Sequence, residues 1–289
     1  MDFSAYRQWL DTLLGLVRPR NMILAFVGVV TGALLYTGPP LEFWPILCAA
    51  LTASLILGAG NALNDYFDFE SDKINKPERP IPSGRISRSD TLMMSIVLFM
   101  AGIGLSKAIN DYTLVIATLN ALMLIIYARY SKKLFFLANI VVSYLVASIF
   151  LFGAVASLKQ TPSLGMINPL FTTLIATSFL STMAREIVKD VEDMPGDEKI
   201  YSNTLPIKAG TKRAREIAFL FMFAAVAASL YPLFNPPTGF NLLFYAAMIL
   251  TADILFLLSF TMHESIAQRL MVAGMFISLT GYTGSILFT

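Results

Sequence analysis

The sequence predicts an all-α polytopic membrane protein: one domain over residues 1–289, nine transmembrane helices around a central cavity, and a pseudo-repeat of two halves. Three observations carry that expectation. Of 289 residues, 56% are hydrophobic and 14% charged, where a soluble domain carries about a quarter charged residues, and mean hydropathy is +0.67. Apolar runs near the length of about 20 residues needed to cross a bilayer recur along the chain. The acidic residues between them gather in two stretches instead of scattering. The single Cys48 lies in an apolar run and excludes a disulfide framework. A cleavable signal peptide is not expected, because residues 1–20 are polar and mixed before the first apolar run.

Taken in order, residues 3–17 place Phe3, Tyr6, Trp9, Leu10, Leu13 and Leu14 at helical spacing. They predict an amphipathic helix lying on the membrane surface, within an N-terminal segment 1–20. Nine apolar runs follow, at 21–37, 43–66, 90–106, 111–128, 134–157, 167–188, 214–234, 240–260 and 266–288. Nine spans make the loops alternate sides. Of the 21 Lys and Arg residues, only Lys107 and Lys159 then fall on the side opposite the N-terminus. The positive-inside rule therefore assigns the N-terminus and both acidic stretches to the cytoplasm and the C-terminus to the outside of the cell membrane.

The first acidic stretch, NALNDYFDFESDKINKPERPIPSGR, covers Asn61 to Arg85 after the second run. On one continuous helix Asn61, Asn64, Asp68 and Asp72 fall within an arc of about 80°. The second, REIVKDVEDMPGD, covers Arg185 to Asp197 after the sixth run. Glu186, Asp190 and Asp193 lie within about 60° on a wheel, and Asp197, after Pro195 and Gly196, is expected at the start of a loop. Two cytoplasmic loops, 67–89 and 191–213, thus cover one site. Asp72 to Arg88 and Asp197 to Arg213 each span 16 positions, and both intervals hold Pro and a small residue before Gly, as PIPSG and LPIKAG. Spans two and six read as counterparts of an old duplication, which commonly sets a shared site between the halves.

Grouped carboxylates at a span end need positive charge to offset burial and mutual repulsion. Hard cations suit all-oxygen donors, and Mg²⁺ takes one or two carboxylates while leaving positions for phosphate oxygens. One Cys and the remote His263 give no structural zinc set. Bases expected on the same side include Arg18, Arg20, Lys73, Arg79, Arg85, Lys132, Lys133, Lys189 and Lys208. Acids that hold Mg²⁺ beside bases that clamp anions describe a diphosphate site, and abundant Phe and Tyr suit an apolar chain as ligand. In the loop after Lys73, Pro77, Pro80, Pro82 and Gly84 fix backbone shape, with Arg79 or Arg85 available to reach an anion.

These residues resemble a known family. NDYFDFESD is similar to the first aspartate-rich signature, Asn-Asp-x-x-Asp-x-x-x-Asp, of the UbiA-type intramembrane prenyltransferases, and the acids from Asp190 to Asp197 resemble its second. The likeness covers nearly the whole chain. Within the family, NKPERPIPSG together with REIVKDVEDMPGD most resembles the archaeal digeranylgeranylglyceryl phosphate synthases. Chlorophyll synthases share an RPIPSG-like loop, but their second motif has Asn-Asp-Phe where this chain has Lys189, Asp190 and Val191.

The resemblance implies a first metal and diphosphate group of Asn64, Asp68 and Asp72 and a second of Asp190, Asp193 and Asp197, with Asp68, Asp72, Asp190 and Asp193 catalytic. It implies substrate contacts from Arg18 and Asn21 in RPRN and from Tyr127, Lys132 and Lys133 in YARYSKK. Asn61, Lys73, Arg79, Arg85, Glu186, Lys189 and Lys208 complete the expected substrate-binding set. The implied reaction is Mg²⁺-dependent, with two ions. It moves a prenyl group from geranylgeranyl diphosphate to geranylgeranylglyceryl phosphate within the membrane lipids, without nucleic acid. An aromatic or tetrapyrrole acceptor is the alternative within the class, and a cation-coupled transporter the alternative outside it.

Overall fold

The computed structural model describes residues 3–130, 135–158, 169–199 and 202–288, and all regular structure in them is helical. The opening amphipathic pattern folds as α1 (Phe3–Val17). It exposes Tyr6, Trp9, Leu10 and Leu14 and buries Thr12 and Leu16, a surface suited to the membrane interface. There follow α2 (Pro19–Thr37), α3 (Phe43–Phe67), α4 (Phe69–Asn75), α5 (Arg88–Lys107), α6 (Asp111–Tyr130), α7 (Leu137–Ala156) and α8 (Pro169–Lys199). The chain closes with α9 (Leu205–Ala209), α10 (Thr211–Ser229), α11 (Tyr231–Phe234), α12 (Leu242–Ser259) and α13 (Glu264–Leu287).

Among the described residues eight helical segments, not nine, are long and apolar enough to cross a membrane: α2, α3, α5, α6, α7, α10 with α11, α12 and α13. The sixth expected span, α8, is set apart by its polarity. Thr173, Thr177, Ser181 and Thr182 occupy its apolar portion, and charged residues begin at Arg185. Its 31 residues reach about 46 Å at 1.5 Å per residue. The hydroxyls of Thr173 and Thr177 donate to carbonyls one turn back, at 2.8 and 2.9 Å, and Thr173, Ser181 and Thr182 are buried. α8 packs between α7, α10 and α13, so its polarity meets protein. The lipid-crossing helices instead expose large apolar side chains, Met100, Leu119, Leu220 and Leu243 among them.

Two helix groups build the core. Val29, Ile56, Leu63, Phe99, Leu124 and Phe152 join α2, α3, α5, α6 and α7. Ile187, Val188, Met222, Phe256 and Met271 join α8, α10, α12 and α13. A third cluster around Phe150, Phe171, Tyr245 and Tyr282 ties the groups together. α2 and α7 cross backbone to backbone, since a Cβ on Gly32 would fall on the Phe150 carbonyl and one on Gly153 on the Val29 carbonyl.

The repeated sequence pattern has a structural counterpart. α3 leads through short α4 to Gly84 at φ 75° and then α5; α8 leads through short α9 to Gly210 at φ 83° and then α10. Both turns need the left-handed backbone that glycine adopts without cost. α3 packs on α5 as α8 packs on α10. One expectation is corrected here: Pro195 and Gly196 do not end the sixth helix, which runs on to Lys199 and keeps Asp197 helical. Pro195 is exposed, so its ring stays clear of the core, and the tail is held from outside by side chains of α4 and the loop after it.

Candidate active site

The two acidic stretches meet in one polar pocket at the end of the bundle where α3, α6 and α8 finish and α2 and α7 begin. It is lined by Arg18, Asn64, Asp68, Asp72, Lys76, Arg79, Tyr127, Asn139, Glu186, Lys189, Asp190 and Asp193, with Ser71, Asn75, Phe135, Ala138 and Thr204 between them. The first stretch is not one continuous helix. α3 stops at Phe67, Asp68 forms the junction at φ −82° and ψ 5°, and α4 carries Asp72. The hydrogen bonds from Asp68 N to Asn64 O and from Asp72 N to Asp68 O, both 2.8 Å, keep the turn tight.

Ion pairs divide the acids into two kinds. Asp65, 2% exposed, accepts from Arg18 at 2.5 Å and from Arg79 at 3.1 Å, and Arg79 also reaches Asp72 at 2.6 Å. Lys76, from the loop after α4, pairs with Asp193 of α8 at 2.7 Å. Glu186, 5% exposed, is held by Arg185 and Lys189 at 2.5 and 3.3 Å. The Asn139 amide donates to Asp190 at 2.9 Å. Asp68 has no ion pair, and Asn64 no side-chain hydrogen bond, among the described residues. These two, one helical turn apart and half-buried, turn free oxygens to the pocket.

Burial pushes the Asp72 carboxyl above its ordinary 3.8, against the opposing pull of Arg79. Burial would lower Arg79, but the charges of Asp65 and Asp72 outweigh it and hold the guanidinium protonated. Arg18 caps α2 with left-handed backbone, φ 54°, a conformation costing a non-glycine residue about 1–3 kcal/mol and found where geometry serves a site. Pro19, the first residue of α2, makes the following turn rigid.

Ten of the expected site residues therefore share the pocket: Asn64, Asp68, Asp72, Asp190, Asp193, Arg18, Arg79, Tyr127, Glu186 and Lys189. Others lie elsewhere. Asn61 donates to the Val17 carbonyl at 3.0 Å and closes the end of α1. Lys73 pairs with Glu70 at 3.1 Å and covers the Phe69 ring. Arg85 braces its own loop through Glu78 O and Ser83 Oγ. Asn21 sits in the first turn of α2, outside the pocket lining, and Asp197 is fully buried and not part of that lining. Lys208 stands over the ring of Phe135, 5.0 Å from its centroid, at the pocket's edge. Lys132 and Lys133 lie outside the described residues. Sequence reasoning left out Asp65, Asn75, Lys76 and Asn139. An Asn in the apolar run LANIVV is itself a signal, since polar side chains in spans are costly and mark function.

Residues 24–280 match the UbiA prenyltransferase family. The chain belongs to that family. It is similar to the digeranylgeranylglyceryl phosphate synthase of Methanopyrus kandleri, 36% identical over 278 residues that cover 95% of this chain and 98% of the relative. A solved structure concerned with digeranylgeranylglyceryl phosphate synthase in membranes is 33% identical, with TM-score 0.71 over 97% of this chain and 99% of that one. A UbiA homologue from Archaeoglobus fulgidus, bound to GPP and Mg²⁺, shares the fold at TM-score 0.70 over 96% of this chain and 99% of that one, at 14% identity. The protein is thus a multi-pass intramembrane prenyltransferase, and the transporter alternative falls.

Proposed function

We propose that the protein transfers the geranylgeranyl group of geranylgeranyl diphosphate to the free hydroxyl of geranylgeranylglyceryl phosphate, making an ether lipid precursor and releasing diphosphate. The observation that carries this reading is the single pocket in which Asn64 and Asp68 of one half face Asp190 and Asp193 of the other, ringed by Arg18, Lys76, Arg79 and Lys189. The relatives named for this activity, covered over nearly their full length, support the acceptor.

Among the described residues no three His, Cys, Asp or Glu side chains form a ready metal cage, and Mg²⁺ does not need one. It keeps several waters and binds through one or two carboxylates plus substrate phosphates. The oxygens of Asn64 and Asp68 fit that donor chemistry, and the A. fulgidus homologue binds Mg²⁺ with its diphosphate. Asn64, Asp68 and Asp72 would hold one ion and Asp190 and Asp193 a second. When bound, Mg²⁺ neutralises diphosphate oxygens and stabilises charge on the leaving group.

The chain's own residues do the rest. Arg18, Arg79 and Lys189 supply fixed positive charge toward the leaving diphosphate. The allylic carbon–oxygen bond breaks with its electron pair going to diphosphate; the acceptor oxygen bonds to that carbon and its proton passes to the released anion. Tyr127, Phe135 and Ala138 give the pocket the apolar part of its lining, which would help keep water from the allylic cation. The basic asymmetry of the sequence supports a cytoplasmic N-terminus and pocket and an outside C-terminus, with α8 as ninth span.

Labelled geranylgeranyl diphosphate offered to purified protein with Mg²⁺ and several acceptors tests this. The phosphorylated glycerol lipid is expected to react, its dephosphorylated form far more slowly, and an aromatic acceptor not at all. Faster turnover of the aromatic acceptor would overturn the assignment.

A further inference from the structure

The two acidic clusters come from chain segments 118 positions apart, and one uncharged side chain joins them. Asn75, the last residue of α4, donates from Nδ2 to the main-chain carbonyl of Asp193 at 3.0 Å. Its neighbour Lys76 pairs with the Asp193 carboxylate at 2.7 Å. The seat for Asn75 is Gly196, one turn further along α8: a Cβ built there would lie within 2.6 Å of Asn75 Cγ and Oδ1. The end of α4 therefore rests on bare helix backbone, closer than any side chain would allow.

We infer that Asn75 is a positioning residue, with Gly196 as its seat, that sets the gap between the two acidic clusters and so lets one diphosphate span them. Lys76 could attract Asp193 across a range of distances, because its ammonium is a point charge on a flexible stem. The Asn75 amide has a short stem, and its bond goes to backbone that cannot swing away. It fixes the distance where Lys76 only favours approach. Gly196 follows Pro195 inside a helix, a pairing of two poor helix formers that helix stability alone does not favour and that the seat requires.

The inference rests on the diphosphate reading, and the experiment separates the two. Full-length protein in detergent is melted with and without Mg²⁺ plus inorganic pyrophosphate, for wild type, Asn75→Ala, Gly196→Ala and the double variant. Wild type is expected to melt higher with the ligands. Asn75→Ala should melt near wild type without ligands yet lose most of the ligand-induced rise, and its kcat should fall about a hundredfold, as for misplacement by about 1 Å. Gly196→Ala should do the same. The double variant should lose no more than either single one, because both break one contact. A lowered ligand-free melting point with the ligand-induced rise intact would make Asn75 merely structural and overturn the inference, as would additive losses. Absence of any rise in wild type would overturn the diphosphate reading, and the inference with it.

Discussion

The two acid-bearing helix ends solve one problem differently. The first breaks at Asp68, turns onto α4, and balances its buried acids with arginines: Arg18 and Arg79 share Asp65, and Arg79 also takes Asp72. The second runs unbroken through Pro195 to Lys199; Arg185 and Lys189 of its own turn hold Glu186, and Lys76 from the opposite loop holds Asp193. Arginine's planar fork can bridge two carboxylates at fixed geometry, whereas lysine offers one movable charge. The first end is thus a rigid frame that leaves Asn64 and Asp68 open. The second is a partner whose charge pairing reaches across the pocket. Acids that look equivalent in sequence differ in pairing: Asp65 is shared by two arginines, whereas Asp68 has no ion pair among the described residues.

That division can be broken residue by residue. The largest effect is expected at Asp68→Ala, which removes an open oxygen ligand and no ion pair: kcat should drop by about a hundred- to a thousandfold, read by product formation, with the melting curve unchanged. Asp65→Ala should act mainly on the frame, leaving Arg18 and Arg79 without their shared partner. Breaking a buried pair costs about 3 kcal/mol, which denaturant or thermal unfolding would register before any change in metal dependence.

A pH series sharpens the contrast. Asp72 is raised above 3.8 by burial, so the folded state holds its proton more tightly than the unfolded state. Stability from this group is therefore highest below 3.8 and falls as pH rises from there to the folded value, then levels off. In Asp72→Asn that decline should vanish from a plot of melting temperature against pH. The smallest effect is expected at Asp253→Asn. This acid is buried in α12 apart from the pocket and accepts from Ser229 at 2.9 Å. An amide keeps that bond without placing a carboxyl in the membrane, so turnover should stay within about twofold, and stability within about 1 kcal/mol.

Much of this was legible in the sequence, and the misses share a physical cause. Apolar runs and helical spacing marked α1 and the crossing helices, and the two Pro-to-Gly turns ended at Gly84 and Gly210 as the repeat implied. A helical wheel places Asn61 with Asn64 because it records spacing and not neighbours. Asn61 shares unbroken α3 with Asn64, but its amide is taken by the Val17 carbonyl at the end of α1, a tertiary contact that a wheel does not register. Lys73 is likewise taken by Glu70 and the Phe69 ring, and Lys76, just past the end of α4, reaches Asp193 instead. Pro-Gly usually stops a helix, which puts Asp197 in a loop by sequence, and nothing local records the contact from Asn75 that occupies Gly196. The sixth run, 167–188, does form α8, but its hydroxyls leave it less apolar than the other eight, and those of Thr173 and Thr177 bond to the helix's own carbonyls.

The central claim is that the two helix ends form one Mg²⁺-dependent diphosphate site. It is tested most directly by donor binding in a double-mutant cycle: geranylgeranyl diphosphate affinity with and without Mg²⁺, for wild type, Asp68→Ala, Asp193→Ala and the pair. A single site predicts that each single variant abolishes the Mg²⁺-dependent part and that the pair loses no more. Independent, additive losses, or Mg²⁺-dependent binding retained in either single variant, would contradict it.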